Sequence, residues 1–170
     1  MSTIAIIGYR GSGKTTISQW IASHLDMPCI DADDRVLQDL DVSAASEWDE
    51  EDEAHWRKAE AELVPLLLRE DAVVSIGGSS PLPEVVQQAL KQVSLVINCV
   101  ADEATTLARI EKGTERPMTR AMLDADPLQV RSERLAVHDS LATHQLDTNG
   151  DLESVIPDIQ TLLRHWQQGE

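Results

Sequence analysis

The sequence predicts an α/β fold: a parallel sheet covered by helices on both faces. Three observations carry that reading. Short apolar runs alternate with longer amphipathic ones, as a chain of βαβ units requires. The short runs are apolar residue after residue, as in Ile4-Ala5-Ile6-Ile7, which suits strands buried on both faces. The first run leads at once into a glycine-rich stretch and then a helical pattern, the order expected of a ligand-binding strand–turn–helix unit.

Strands are expected at residues 3–7, 28–30, 72–76 and 94–100, with a weaker one at 145–148. Between the first two, Ile17, Trp20, Ile21 and Leu25 form one helical stripe; Leu107 and Ile110 mark another. The last helix shows Leu152, Val155, Ile159, Leu162 and Trp166 at close to helical spacing. Pro65 and Pro157 fall inside helical patterns, where each is expected to kink or delimit its helix. Residues 41–53 carry seven acids and read as a solvated helix start or loop.

Composition narrows the function. With 170 residues, 42% of them hydrophobic, the chain suits one domain spanning 1–170 with a continuous core. Thirty acids against fourteen Lys and Arg give a formal charge of −16. A field of that sign repels phosphate backbones and anionic lipid, so neither nucleic acid nor a membrane surface is an expected partner. No apolar run approaches the length of a membrane span, and no export signal is recognisable. Cys29 and Cys99 each sit in an apolar stretch without metal-type or redox-type spacing. Two buried thiols in a reducing cytoplasm are expected, in a protein that acts as a monomer on a small molecule.

The sharpest signal is Gly8-Tyr9-Arg10-Gly11-Ser12-Gly13-Lys14-Thr15, which satisfies G-x-x-x-x-G-K-[ST] between a strand and a helix. Glycines let successive N–H groups converge on phosphate oxygens, and the helix N-terminus adds its positive end. Lys14 is expected to reach the terminal phosphates, and the Thr15 hydroxyl to ligate Mg²⁺. The Asn/Thr-Lys-x-Asp element of a GTPase does not occur, and the chain is too short for most ATPase machines. An ATP-dependent small-molecule kinase is the economical reading.

Further residues supply the other half of a reaction. Ile30-Asp31-Ala32-Asp33-Asp34 ends the second strand, where ligands gather in doubly wound sheets. Arg57 and Glu60 share a helix, Gly77-Gly78 ends the third strand, Arg116-Pro117 follows a polar segment, and Arg134 lies on a later helix. Spacing alone leaves Asp33 and Asp34 open as alternatives. Arg57 and Glu60 at i, i+3 also suit a plain surface pair, and Arg134 could pair with Glu133 or Asp139.

Taken in order, these motifs resemble the shikimate kinase family over nearly the whole chain. The family pattern has the phosphate loop, D-x-D, F-R-x-x-E on a helix, G-G-G, R-P in a mobile lid and an arginine on the helix after it. The matching residues are Gly8 to Thr15, Asp31 and Asp33, Trp56-Arg57 with Glu60, Gly77-Gly78, Arg116-Pro117 and Arg134. The resemblance implies a five-stranded sheet of order 2-3-1-4-5 in a three-layer α/β/α phosphate-loop fold, with a lid near residues 112–124. It implies ATP and Mg²⁺ as cofactors and phosphorylation of shikimate at its 3-hydroxyl, in aromatic amino-acid and chorismate biosynthesis.

By the same resemblance, Gly8, Arg10, Gly11, Ser12, Gly13, Lys14, Thr15, Thr16, Arg109 and Arg116 contact the nucleotide, with Arg109 near the adenine. Thr15 and Asp31 serve the metal. Asp33, Arg57, Gly77, Gly78, Ser79 and Arg134 bind the acceptor, the two arginines gripping its carboxylate. Lys14, Asp33 and Arg116 carry the chemistry. The chain departs from the pattern at Ser79, the third glycine position; at Met118 in the lid; and at His138, where the family often has tyrosine. Trp48 and Trp56 replace phenylalanines, and Asp41 and Asp52 replace glycines. Those departures leave two alternatives: a kinase of another hydroxy-acid such as gluconate, or a nucleotide-binding regulator without turnover.

Overall fold

The structure, a computed structural model, describes residues 2–41, 49–112 and 127–169. Five strands form one parallel sheet: β1 (Ile4–Gly8), β2 (Cys29–Asp31), β3 (Val73–Ser75), β4 (Leu95–Val100) and β5 (His144–Asp147). Their order is β2-β3-β1-β4-β5, as expected. The registers Ile4↔Val73 and Ile4↔Leu95 place β1 at the centre, between β3 and β4. Among the described residues the helices, in chain order, are α1 (Lys14–Leu25), α2 (Ala32–Leu40), α3 (Glu50–Leu67), α4 (Glu84–Leu90), α5 (Glu103–Lys112), α6 (Pro127–Leu141) and α7 (Leu152–Gln168).

Alternation along β1 explains its unbroken apolar run. Ile4 and Ile6 join a core with Ile17 and Ile21 of α1 and Val155 and Ile159 of α7. Ala5 and Ile7 join the opposite core with Val64 of α3, Val86 of α4 and Leu141 of α6. Both faces of β1 are dry, so the central strand is apolar throughout.

Helix starts follow local chemistry. Asp31 accepts from the N–H groups of Asp33 and Asp34 and caps α2. Asp49 and Asp52 close a reciprocal capping box at the head of α3. Asp151 accepts from Ser154 N–H at the head of α7. The acids of residues 49–53 are thus the cap and first turn of α3, a helix start as expected.

Two expectations need correction. Cys29 is exposed, because β2 is an edge strand and its sheet partner lies on one side only; Cys99, in β4, is buried. Leu107 is 53% exposed, and α5 instead buries Thr106. Of the two outcomes expected for Pro65 and Pro157, neither residue delimits its helix, and both lie within α3 and α7. The lid segment with Arg116, Pro117 and Met118, together with Trp48, falls outside the described residues.

Candidate active site

Every site element arises at the carboxyl ends of the strands. β1 runs into the loop from Gly8 to Thr15, and α1 begins at Lys14 with Gly13 as its N-cap. No side chain caps α1, so its first amides are left to bind an anion. Gly8 has φ +152°, and a Cβ there would fall 2.7 Å from the Cys99 carbonyl and 2.6 Å from Ser12 Oγ. The loop can pass this close to β4 only with glycine at that position.

Side chains from distant elements fasten the loop through its own carbonyls. Thr148, just after β5, donates its hydroxyl to Ser12 O at 2.6 Å. Arg109 of α5 donates to Thr148 O at 2.6 Å, Gly150 O at 3.2 Å and Gly11 O at 3.4 Å. Lys14 Nζ donates to Tyr9 O at 3.1 Å, which curls the side chain over the loop. Arg131 of α6 donates to Ala101 O at 3.0 Å and lies 5.6 Å from the centre of the Tyr9 ring. A pocket of about 560 Å³ opens beside the loop. Arg10, Lys14, Thr15, Thr16, Arg109, Ile110 and Leu152 are among its lining residues. Arg109 therefore both lines the pocket and ties its two walls together.

The fit to a nucleotide is physical. The glycine-rich loop, a helix start without a side-chain cap and Lys14 suit a polyphosphate, and the mixed wall of Ile110, Leu152 and Arg109 suits a base. Thr15 and Asp31 offer hard oxygen donors of the kind Mg²⁺ takes alongside phosphate oxygens. Cys99, buried behind the loop, is inert: burial pushes its thiol up to about 12 against the pull of Lys14 and Arg109.

The residues expected to bind an acceptor lie across the loop, and a glycine joins the two groups. A Cβ at Gly78 would be 3.4 Å from both Arg10 N and Gly8 O, so the end of β3 rests on the phosphate loop. A Cβ at Gly77 would fall 2.5–2.6 Å from the Asp33 carboxyl oxygens. The chain lacks a side chain where Asp33 needs the room. That contact separates the two candidate acids: Asp33 is 6% exposed and turned onto the end of β3, whereas Asp34 is exposed.

Arg57 of α3 donates through Nη1 to Glu60 Oε2 at 2.8 Å and to Ser79 Oγ at 2.7 Å. Ser80 donates its hydroxyl to the other oxygen of Glu60. At 1% exposure Glu60 is no surface partner, so the plain surface-pair alternative fails. Among the described residues Arg134 makes no ion pair, with Glu133 and Asp139 engaged elsewhere by Gln129, Asn98 and Gln145. Burial holds Arg134 below the usual guanidinium range. Tyr9 and Glu60 oppose that shift, while the positive charges of Arg57 and Arg10 add to it. Guanidinium groups gathered this way create a site for an anion.

His138, one turn beyond Arg134, is fully buried, with Nε2 2.9 Å from the Gly78 carbonyl. Burial pushes its pKa down to about 4, helped by Lys14 and Arg134 and opposed by the Gly78 bond and Asp139. Neutral and facing a carbonyl, it carries its proton on Nε2 and pins α6 to the acceptor floor. The Thr148 clasp, the Ser80 bond and the His138–Gly78 bond escaped the sequence reading. None has a local spacing signal; each joins segments separated by 20 residues or more.

A phosphate-binding loop at the centre of a 2-3-1-4-5 parallel sheet, with an acid and arginines facing it, defines a phosphate-loop kinase. Comparison with known proteins refines the class. The family model described as shikimate kinase matches residues 10–164, and the chain belongs to that family. A shikimate kinase of Enterococcus faecalis is 30% identical over 167 residues, covering 96% of this chain and 99% of that one. The solved shikimate kinase of Aquifex aeolicus superposes with a TM-score of 0.80 at 25% identity, covering 99% of both chains. The Acinetobacter baumannii shikimate kinase, solved in complex with shikimate, is alike in fold, with a TM-score of 0.78 at 21% identity. That match covers 97% of this chain and 94% of the other.

Proposed function

We propose that this chain transfers the γ-phosphoryl group of ATP to the 3-hydroxyl of shikimate, giving shikimate 3-phosphate and ADP. It would do so as a cytoplasmic monomer serving aromatic amino-acid synthesis. The observation that carries this reading is the Asp33–Gly77–Gly78 strip, which touches the phosphate loop on one side and is flanked by Arg57 and Arg134. A hydroxyl held by Asp33 would lie beside the phosphate loop, and a ring carboxylate would complete the charge of the arginines.

The residue roles follow from placement. The Gly8–Thr15 backbone, Arg10 and Thr16 would hold the polyphosphate, and Arg109 would shape the base pocket. Lys14 would leave Tyr9 O to neutralise charge on the terminal phosphates. Asp33 would orient the attacking hydroxyl and take up its proton. Thr15 and Asp31, the latter directly or through water, would hold Mg²⁺, which neutralises phosphate charge. Residues 112–124 would act as a lid carrying Arg116 to the transferring group. Ser79, Gly77 and Gly78 would line the acceptor site.

Coupled ADP release across a panel of hydroxy-acids tests the reading. Shikimate should be the preferred acceptor by kcat/KM. Preference for gluconate would reassign the acceptor, and ATP binding without turnover of any acceptor would leave only a nucleotide-binding role.

A further inference from the structure

Arg57 is engaged at one corner of its guanidinium. Nη1 carries two hydrogens, and both are used, one on Glu60 Oε2 at 2.8 Å and one on Ser79 Oγ at 2.7 Å. Glu60 is locked in its turn by Ser80 on its second oxygen, deep in the core. Among the described residues Nη2 meets only Glu53, at a loose 3.6 Å and on a partly exposed side chain. A glycine at position 79 would offer no atom for Nη1, so this anchor depends on the serine. The backbone there is outside the left-handed region, and small side chains fit it equally well.

We propose that Ser79 is a specificity-determining positioning residue: by anchoring Arg57 Nη1 it presents the Nε–Nη2 edge of the guanidinium to the acceptor's carboxylate. The proposal rests on the carboxylate-binding reading above. A guanidinium fork is planar and matches a carboxylate along one edge at a time. With the Nη1 corner engaged, the carboxylate must approach side-on, in a plane set by α3 and the β3–α4 turn. A rigid ring whose carboxylate and hydroxyl keep a fixed separation can satisfy that plane and Asp33 together. A flexible open-chain acid loses conformational freedom to do the same.

The test uses Ser79→Ala and Ser79→Thr in the full-length protein. Without any acceptor, ¹⁵N NMR of the arginine side chains should show slow rotation of Arg57 Nη1 in the wild type. Rotation should be faster in Ser79→Ala and slow again in Ser79→Thr. With shikimate and ATP, Ser79→Ala should raise the acceptor KM roughly 2- to 12-fold, the loss of one ordinary hydrogen bond. That rise should exceed any change in kcat, and Ser79→Thr should recover most of it. In an Arg57→Ala background, Ser79→Ala should cost nothing further, because its effect runs through Arg57. Unchanged rotation would overturn the proposal, as would an equal loss in the Arg57→Ala background. If the wild type neither binds nor phosphorylates shikimate, the proposed function fails, and the rotation measurement still decides whether Ser79 anchors Arg57.

Discussion

The two halves of the site are built from different materials. On the nucleotide side, the supporting side chains reach for main-chain carbonyls: Thr148 for Ser12, Arg109 for Gly11, Thr148 and Gly150, Lys14 for Tyr9. On the acceptor side, apart from His138 on the Gly78 carbonyl, side chains hold side chains: Arg57 with Glu60 and Ser79, and Glu60 with Ser80. A backbone site recognises what all nucleotides share and tolerates little change in the chain's path. A side-chain site can be retuned one residue at a time. The nucleotide half therefore fixes the reaction class, and the acceptor half fixes the molecule.

Substitutions can break that division. The largest expected effect is Lys14→Ala, which removes a cation wanted where charge develops on the phosphoryl group. Turnover should fall by about 10²–10³, the range for loss of one such electrostatic donor. Circular dichroism should show the fold intact, because Lys14 lies on the loop surface and not in the core. Near-normal turnover would mean that the loop binds nucleotide without using this side chain.

The next effect belongs to the acceptor half and is read by pH. His138 has a folded pKa of about 4 against an ordinary 6.5, so the unfolded chain binds the extra proton first. Its contribution to stability is complete above about pH 6.5 and is lost as pH falls toward 4, by about 3 kcal/mol in all. His138→Gln keeps an N–H for the Gly78 carbonyl and does not titrate. Denaturant melts between pH 7 and 4 should therefore be flatter for His138→Gln than for the wild type. Parallel curves would show that His138 opens to water or is already protonated.

Two glycines sharpen the contrast. Gly8→Ala forces a side chain against the Cys99 carbonyl at a φ that disfavours it, and should destabilise the fold by about 1–3 kcal/mol in denaturant melts. Gly77→Ala places its Cβ closest to the Asp33 carboxyl group, a side chain and not backbone. The cost in stability should be about 0.5–1.5 kcal/mol, that of an off-rotamer side chain, while acceptor turnover falls and ATP affinity holds. Equal losses of ATP affinity would show that the halves are not separable.

The same contrast explains what was legible in the sequence. A backbone site needs residues without side chains at fixed spacing, so Gly8 to Thr15 announced itself. The sheet was equally readable, because its central strands are buried on both faces and largely apolar, and all five strands appeared within a residue or two of their places. The proposed acceptor site draws Asp33, Arg57, Ser79 and Arg134 from four separate segments, and no spacing connects them. Only the ordered family motifs brought them together. Edge effects were hidden as well: Cys29 reads as apolar core until the strand order places β2 at the rim. Leu107 follows a helical stripe, yet α5 packs through Thr106 because its inner face meets the phosphate loop at Gly11.

The measurement closest to the heart of this division is a double-mutant cycle on shikimate binding by titration calorimetry, with Arg57→Ala, Arg134→Ala and the pair. Arg57→Lys serves as a folding control, since it keeps a cation beside buried Glu60. If both arginines hold one carboxylate, each alanine variant should weaken binding by about 1.5–3 kcal/mol, roughly 10- to 150-fold. The pair should cost less than the sum, and ATP affinity should barely move. Fully additive losses, or an equal penalty for an analogue lacking the carboxylate, would contradict a shared carboxylate clamp and with it the assignment of shikimate to this site.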